Sequence, residues 1–301
     1  MSHLHWLALT HVPGLGGATL RRLLERFGSV EALLAADPDE LARVPRLRAE
    51  TIAALQEPDL DEAARQLSAL TEADVTLLTW DDPGYPVPLH ELSDPPPVLF
   101  VRGELRPRDV EGVAIVGSRR ASPQGVERAH RLAERLADAG LTVVSGLALG
   151  IDTAAHRGAL AAEGGRTVAV LGSGILRVHP RQNAQLAERI AARGAVLSER
   201  RPDAPPQGRF LMARDRIVAA LSRAVIVVEA GEKSGSLDTA RRARKLGRLV
   251  LACPGSPGTD ALLQRGAAEP LDVGDTDLEA LVKRLLQMKD MPPPPVQGRL
   301  F

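Results

Sequence analysis

The chain has 301 residues, 44% of them apolar, and its 38 Lys and Arg are balanced by 38 Asp and Glu. This length allows one large α/β domain or two ordinary domains with a sizeable core. Charged residues interrupt every apolar run well before the roughly 20 residues of a membrane span, and the N-terminus lacks the regions of an export signal. These features argue against a membrane protein and favour a cytoplasmic one.

Cysteine and histidine usage argues against a metal centre. Cys253 is the single cysteine, so neither an internal disulfide nor a Cys-based zinc site can form. It follows the apolar residues 250–252 and is predicted to be buried at the end of a strand. The seven histidines show no H-x-x-x-H spacing. We therefore predict no bound metal and no cofactor.

Residues 1–75 are predicted to form a small all-α domain, because apolar residues recur at helical spacing and no strand pattern is present. This region is net acidic, with 7 Lys and Arg against 12 Asp and Glu. Residues 76–301 hold 31 and 26, respectively. A polyanion is therefore expected to bind the second region rather than the first.

Two similar segments within the helical domain each precede a helix. Residues 12–16 (VPGLG) and 44–47 (VPRL) resemble the turns of helix-hairpin-helix or SAM-like modules. The first turn has backbone amides to offer to a DNA phosphate, whereas the second has Arg46 where such a hairpin needs Gly. A structural or protein-docking role is favoured for this domain, with DNA contact as the alternative.

From Gly112 onwards, predicted strands and helices alternate. Before that point, the proline-rich residues 81–107 are expected to form edge strands or a covering arm. The strand candidates are 113–116, 141–144, 167–171, 195–197, 225–228 and 249–252. Near-continuous β-branched runs separated by helices indicate a parallel sheet covered on both faces. We therefore predict an extended Rossmann-like, doubly wound, mostly parallel sheet over residues 76–288, followed by a proline-rich tail or linker over 289–301.

Small, hydroxylated and basic residues follow several predicted strands, at the edge where doubly wound sheets bind ligands. Residues 117–120 (GSRR) follow the first strand after Gly112, 145–152 (SGLALGID) the second, and 234–240 (SGSLDTA) the fifth. The last segment passes from a Gly/Ser turn into a helix, which places amides, hydroxyls and the positive helix end together, as a phosphate site requires. Because neither a G-x-G-x-x-G nor a P-loop motif is present, the pattern favours a row of phosphates on a nucleic-acid strand.

Several residues at this edge also have structural interpretations. Asp152 is expected to cap a helix rather than to act in catalysis. His156, one helical turn later, has either a packing role, held by Asp152, or the role of a general base. One of the two pairs that Arg214 and Arg216 make with Asp215 is expected to be a local ion pair.

An ordered series of motifs resembles the DNA-processing DprA/Smf family over roughly residues 75–270. The motifs are IVGSR (115–119), SGLALGIDTAAH (145–156), VAVLGSGI (168–175), LSE (197–199), RDRIVAALS (214–222), VVEAGEKSGSLDTA (227–240) and PG with GTDALLQRGA (254–255, 258–267). The resemblance implies an extended Rossmann domain, often preceded by a SAM-like domain and often followed by a winged-helix domain, which is not expected within these 301 residues. It also implies a homodimer, not an enzyme, that binds and protects incoming single-stranded DNA in natural transformation and helps to load the RecA recombinase.

The resemblance, together with the basic edge, also indicates which residues contact DNA. The predicted DNA-binding set is Gly117, Ser118, Arg119, Arg120, Gly146, Arg181, Phe210, Arg214, Ser234, Gly235, Ser236 and Thr239. Such binding is expected to weaken with salt and to show little base preference. The chain departs from the family at Asp215 and Asp260, where a carboxylate replaces an amide and would oppose phosphate, at His179, which replaces Tyr, and at Leu211, which replaces an aromatic residue.

Two other functions compete with DNA binding. An enzyme of the lysine-decarboxylase-like Rossmann group would bind or hydrolyse a nucleotide, with Glu199 and Glu229 as acid and base. That group carries a P-G-G-x-G-T-x-x-E signature, whose terminal acid is absent here because residues 236–240 take its place. The third possibility is an interaction scaffold whose basic edge is incidental. Release of base from nucleotides would indicate the enzyme, and DNA crosslinks only outside this edge would indicate the scaffold.

Overall fold

One mixed sheet organises the computed structural model, which describes residues 3–110, 112–273 and 275–288. Its strands within these residues are β1 (Val75–Thr79), β2 (Val98–Gly103), β3 (Gly112–Val116), β4 (Val143–Ser145), β5 (Thr167–Leu171), β6 (Ala195–Ser198), β7 (Ser222–Val227), β8 (Leu249–Ala252) and β9 (Glu269–Pro270). The strand order is β1-β2-β6-β5-β4-β3-β7-β8-β9. Strand β2 pairs antiparallel with both β1 and β6, and the remaining neighbours pair in parallel.

Helices precede the sheet and connect its strands. They are α1 (His3–Leu9), α2 (Gly17–Phe27), α3 (Val30–Leu34), α4 (Pro38–Ala42), α5 (Ala49–Gln56), α6 (Leu60–Glu72), α7 (Val87–His90), α8 (Pro123–Asp138), α9 (Ile151–Ala161), α10 (Ala184–Arg193), α11 (Gly208–Ala213), α12 (Asp215–Ala220), α13 (Ser236–Lys245), α14 (Pro257–Gln264) and α15 (Asp275–Met288). Short 3₁₀ turns occupy Pro107–Asp109 and Arg181–Asn183. Within the described ranges, no helix is both long and apolar enough to cross a membrane.

The strands from β3 to β8 confirm the predicted doubly wound, mostly parallel sheet. Each overlaps a strand candidate, and β3, β5 and β7 are buried along their whole length because helices cover both faces of the sheet. The proline-rich region contains α7 and β2. The expectation of an edge strand there is wrong, since β2 lies between β1 and β6. The two edges are β1 and β9, which have no predicted counterpart.

The predicted N-terminal helices are present and pack directly on the sheet. Trp6 of α1 and Leu20 of α2 share one hydrophobic core with Phe100 of β2 and Leu171 of β5. Truncating a large side chain in such a core costs about 3–5 kcal/mol. A domain boundary at residue 75 stays a prediction, and the predicted tail, residues 289–301, lies outside the described residues.

The two similar turns of the helical region each contain a residue with positive φ at the equivalent position. Gly14 in the first has a φ of +73°, and Arg46 in the second has a φ of +63°. Arg46 therefore occupies the left-handed region that favours glycine. The two segments therefore share this backbone feature at their third residue.

The N-terminus of α2 is in close contact with the chain that precedes β2. A Cβ added to Gly17 would lie 1.8 Å from the carbonyl oxygen of Pro95, which only glycine allows at this position. The N–H of Ala18 donates to Oδ1 of Asp94 at 3.0 Å. A carboxylate next to a helix N-terminus is electrostatically favourable. The first hairpin is therefore fastened to the sheet region by the start of α2.

Candidate nucleic-acid interface

A cleft of about 540 Å³ opens at the carboxyl ends of β3, β4 and β7. It brings together ten residues of the predicted DNA-binding set, namely Gly117, Ser118, Arg119, Arg120, Gly146, Arg214, Ser234, Gly235, Ser236 and Thr239. Sequence reasoning did not assign DNA contacts to its other lining residues, Val116, Ala148, Asp152, Leu211, Met212, Asp215, Val218, Gly231 and Lys233. The cleft lies where sheets of this topology bind ligands.

The turn after β3 is held by backbone contacts and presents two arginines. The N–H of Ser118 donates to the carbonyl of Glu229 at 2.7 Å. Gly150 has a φ of +76°, and a Cβ added there would lie 2.2 Å from the carbonyl oxygen of Ser118. The exposed guanidinium groups of Arg119 and Arg120 have no carboxylate within 4.0 Å in the described part of the chain. Both charges are therefore available to an anion.

Arg214 packs against the backbone of Gly146 at the floor of the cleft. A Cβ added to Gly146 would lie 1.5 Å from Nη1 of Arg214, so a side chain at this position would have to displace the guanidinium. Nη1 of Arg214 donates to the carbonyl of Val170 at 2.8 Å, and its Nε lies 3.1 Å from Oδ1 of Asp215. The local ion pair expected in this segment is thus confirmed as Arg214 with Asp215. Arg214 is 5% exposed and acts as a fixed charge in the floor.

Two carboxyl groups line the same cleft. Oδ2 of Asp152 accepts hydrogen bonds from the N–H groups of Gly146 and Ala148, both at 3.2 Å. Asp152 therefore holds the turn before α9, and its predicted capping of that helix is wrong. Burial raises the pKa of Asp152, and it raises the pKa of Asp215 to about 6 against the attraction of Arg214. The cleft therefore becomes less negative as the pH falls through about 6.

The turn before α13 has the features of an anion site. The hydroxyl oxygens of Ser234 and Ser236 lie 2.8 Å apart. The N–H groups of Gly235 and Ser236 meet no acceptor within the described ranges. These amides lie at the positive end of a ten-residue helix. Lys233 is exposed beside them and lines the cleft; its place next to the Gly/Ser turn was the signal that sequence reasoning overlooked.

Phe210 and Arg181 do not line the cleft. The guanidinium carbon of Arg200 lies 3.5 Å from the ring centroid of Phe210, and that of Arg209 lies 4.7 Å from it. Met212, two residues further along α11, does line the cleft and is 40% exposed. Arg181 borders a separate depression beside α10. Direct DNA contact by Phe210 and Arg181 stays a prediction.

The two glutamates of the enzymatic alternative make structural contacts outside the cleft. Glu229 accepts from the N–H of Ser122 at 3.1 Å and from its hydroxyl at 2.5 Å, which fixes the start of α8. Glu199 forms two hydrogen bonds with the guanidinium of Arg216, both 2.6 Å long. Neither glutamate lines the cleft. In this structure both carboxylates are therefore engaged by other residues, Ser122 and Arg216.

His156 is buried and has the packing role, but its partner is Thr167 and not the expected Asp152. The hydroxyl of Thr167 donates to the carbonyl of Val143, so it accepts from Nδ1–H of His156 at 2.7 Å. Burial lowers the pKa of His156 to about 3, so the ring is neutral. It has no hydrogen bond to Asp152 and does not line the cleft. His156 is therefore a packing residue.

Two other expectations concern residues near β8. Asp260 accepts from the N–H of Gly255 at 2.9 Å and does not line the cleft, and its opposition to a bound phosphate stays a prediction. Cys253 is buried directly after β8, as predicted, and burial raises the pKa of its thiol to about 11. In the described part of the chain, no group of three His, Cys, Asp or Glu residues is arranged to hold a metal ion.

Comparisons with known proteins match both regions of the chain. The model of the DNA recombination-mediator protein A family matches residues 76–281, and that of the SAM-like helix-hairpin-helix tandem matches residues 7–57. Protein Smf of Synechocystis sp. is 40% identical over 259 residues, which cover 84% of this chain and 65% of that protein. The DNA processing protein DprA of Streptococcus pneumoniae is 44% identical over 192 residues, which cover 62% and 67%, respectively.

Solved structures give the same relationship. The X-ray structure of DprA from Streptococcus pneumoniae has a TM-score of 0.76 at 33% identity, with 92% of this chain and 97% of that chain covered. DprA from Helicobacter pylori, described for its unique single-stranded DNA binding mode, has a TM-score of 0.63 at 32% identity, with 70% and 96% covered. The match to Synechocystis Smf spans about two-thirds of that protein's length, 65%. With most of its sheet region matched by the family model, this chain belongs to the DNA recombination-mediator protein A family, the family of the DNA-processing proteins DprA and Smf.

Proposed function

We propose that this chain binds single-stranded DNA in the cleft and holds it without cleaving it. The observation that carries this proposal is the gathering of free amides, hydroxyls and unpaired cations in one cleft. The amides of Gly235 and Ser236 face no acceptor in the described residues, and Arg119, Arg120 and Lys233 are exposed around them. Support for the ligand comes from the Helicobacter pylori relative, which is described for binding single-stranded DNA.

The groups of the cleft fit a phosphate backbone better than bases. Amides, hydroxyls and guanidinium groups bind phosphate whatever the sequence. The chain has only 2 Trp, 1 Tyr and 4 Phe, and Phe210 is in contact with two arginines. Base stacking on aromatic rings is therefore a small contribution. Each phosphate neutralised by a cation contributes about −0.7 to the log–log dependence of affinity on salt.

The experiment is a fluorescence-anisotropy titration with oligothymidine over a range of salt concentrations. The double substitution Arg119→Ala and Lys233→Ala removes two cations from the mouth of the cleft. We expect the affinity to fall about fivefold or more and the salt slope to become shallower by about 1.4. Arg157→Ala, an exposed arginine of α9 that does not line the cleft, is the control. Tight binding with an unchanged slope in the double variant would refute binding in this cleft.

The enzymatic alternative has a separate test. If Glu199 and Glu229 act as acid and base, incubation with nucleoside monophosphates releases free base, which chromatography detects. We expect no release, because both carboxylates are committed to Arg216 and Ser122. Release of base by the wild-type protein that is lost on Glu199→Gln would favour the enzyme instead.

We further infer the cellular role that family membership suggests. The chain protects incoming single strands during natural transformation in the cytoplasm and helps to load RecA, acting as a homodimer. Multi-angle light scattering tests the homodimer directly. Strand exchange by RecA on DNA coated with a single-strand-binding protein tests the loading: addition of this chain is expected to shorten the lag phase, and an unchanged lag would count against the role.

A further inference from the structure

Exposed arginines outside the cleft gather on two loops that are joined by backbone hydrogen bonds. One loop follows β5 and the other follows β6. The N–H of Gly174 donates to the carbonyl of Ala204, and that of Leu176 to the carbonyl of Pro202, both at 2.9 Å. We refer to the exposed arginines on these loops and at the start of α11 as the basic surface; they are Arg177, Arg181, Arg201 and Arg209.

The charges of the basic surface are not neutralised by the protein. Within the described ranges, no carboxylate lies within 4.0 Å of these four guanidinium groups. Arg177 and Arg181 border a depression of about 550 Å³ in which the only carboxylate, Glu188, is bonded to Arg102 at 2.9 Å. On the second loop, Glu199 is bonded to Arg216, which leaves the exposed Asp203 as its single unpaired acid. A surface with this excess of positive charge attracts a polyanion.

The helix α11 connects the basic surface to the cleft. Leu211 and Met212 of this helix line the cleft. On the same helix, Arg209 belongs to the basic surface, and Phe210 is stacked by Arg200 at 3.5 Å. Gly172, which opens the loop after β5, packs against Leu211 so closely that an added Cβ would lie 2.7 Å from its Cα. Cationic groups therefore continue from the cleft over α11 to the two loops.

We propose that the basic surface binds the phosphates of a single strand that leaves the cleft over α11, so that one chain covers a longer stretch of DNA than the cleft alone. This inference rests on the proposed function of the cleft. A continuing single strand is favoured over a separate ligand because the two positive regions are contiguous. Arg181, predicted to contact DNA, would do so on this second surface.

The test compares short and long oligothymidines with the double variant Arg177→Gln and Arg181→Gln. An oligonucleotide of about 4 nucleotides, at the short end of single-strand site sizes, probes the cleft, whereas one of about 20 nucleotides is longer than such sites. We expect the variant to bind the short one as the wild type does. The affinity for the long one is expected to fall about fivefold or more, with a salt slope shallower by about 1.4. The matched control is Arg157→Gln with Arg265→Gln, two exposed arginines that border neither region.

Each other result overturns the inference in a distinguishable way. Equal losses of affinity for the short and the long oligonucleotide would show that Arg177 and Arg181 contribute to binding in the cleft itself. An unchanged affinity for both oligonucleotides would show that the bound single strand does not contact the basic surface. In a parallel titration with duplex DNA, a loss of affinity confined to the duplex would make the basic surface a separate duplex site. If the wild-type protein binds neither oligonucleotide, the function proposed for the cleft fails as well. Thermal unfolding of both double variants confirms that they are folded.

Discussion

Replacing Asp215 by Asn tests the electrostatics of the cleft floor. The side chain of Asp215 is 11% exposed, and burial raises its pKa from 3.8 to about 6 even though Arg214 lies 3.1 Å away. Since one pKa unit corresponds to about 1.4 kcal/mol, the ionised carboxylate costs the folded state about 3 kcal/mol above pH 6. Asn has nearly the same shape and cannot ionise, so Asp215→Asn is expected to raise the free energy of unfolding by up to about 3 kcal/mol at pH 8.

The pH dependence follows from the sign of this perturbation. Between pH 3.8 and about 6, Asp215 is protonated in the folded chain and ionised in the unfolded chain, so its contribution to stability falls as the pH rises through this range. Below that range both states are protonated, and the difference between wild type and variant disappears. All other groups titrate in both proteins, which makes the difference specific for Asp215.

Urea unfolding of both proteins at pH 8 and at about pH 4 measures this difference. If the free energy of unfolding differs between variant and wild type by the same amount at both pH values, the reasoning is refuted, because Asp215 then does not titrate between them. A variant less stable than the wild type at pH 8 would show that the ion pair with Arg214 outweighs the cost of burial. In the same proteins, loss of a negative charge from the cleft is expected to tighten oligothymidine binding about fivefold at pH 8.

Two further substitutions test the packing around the cleft. Gly146→Ala places a Cβ 1.5 Å from Nη1 of Arg214, and we expect a loss of about 1–3 kcal/mol in urea unfolding together with weaker oligothymidine binding. Gly231→Ala, which adds a Cβ with no atom within 4 Å, is the matched control and is expected to stay within about 0.5 kcal/mol of wild type. Glu229→Gln weakens the hold on Ser122 at the start of α8 and should lower the free energy of urea unfolding by about 1–2 kcal/mol; an unchanged stability would contradict the structural role.

The fold was predictable wherever the pattern was long and local. The strands from β3 to β8 are apolar runs between helices, so their composition predicts that they are buried on both faces. β1 and β9 were missed for a physical reason. β1 is a five-residue strand that directly follows α6, and β9 has two exposed residues. Such strands are defined by the neighbour they pair with, and the sequence of the strand alone does not reveal that neighbour.

The site was predictable in its backbone and less so in its side chains. Turns such as 117–120 and 234–236 were predictable as binding sites, because their glycine and serine residues themselves supply the accessible amides and the hydroxyls. Side-chain direction depends on tertiary neighbours. Phe210 faces arginines while Met212, on the same short helix, faces the cleft. Asp152 accepts from amides before α9 instead of capping that helix. Which of the two it does depends on the path of the preceding turn, and no local sequence pattern specifies that path.

The contact between Asp94 and the start of α2 bears on what the helix-hairpin-helix module binds. In such a module, the amides that follow the first hairpin are the groups offered to a DNA phosphate. Here the amide of Ala18 already has an anionic partner in Asp94, and Gly17 lies against the backbone at Pro95. The carboxylate of Asp94 thus takes the position at the helix start that a phosphate would otherwise occupy. The first hairpin of this module is therefore an internal joint to the sheet region, and the amide of Ala18 is engaged there by Asp94.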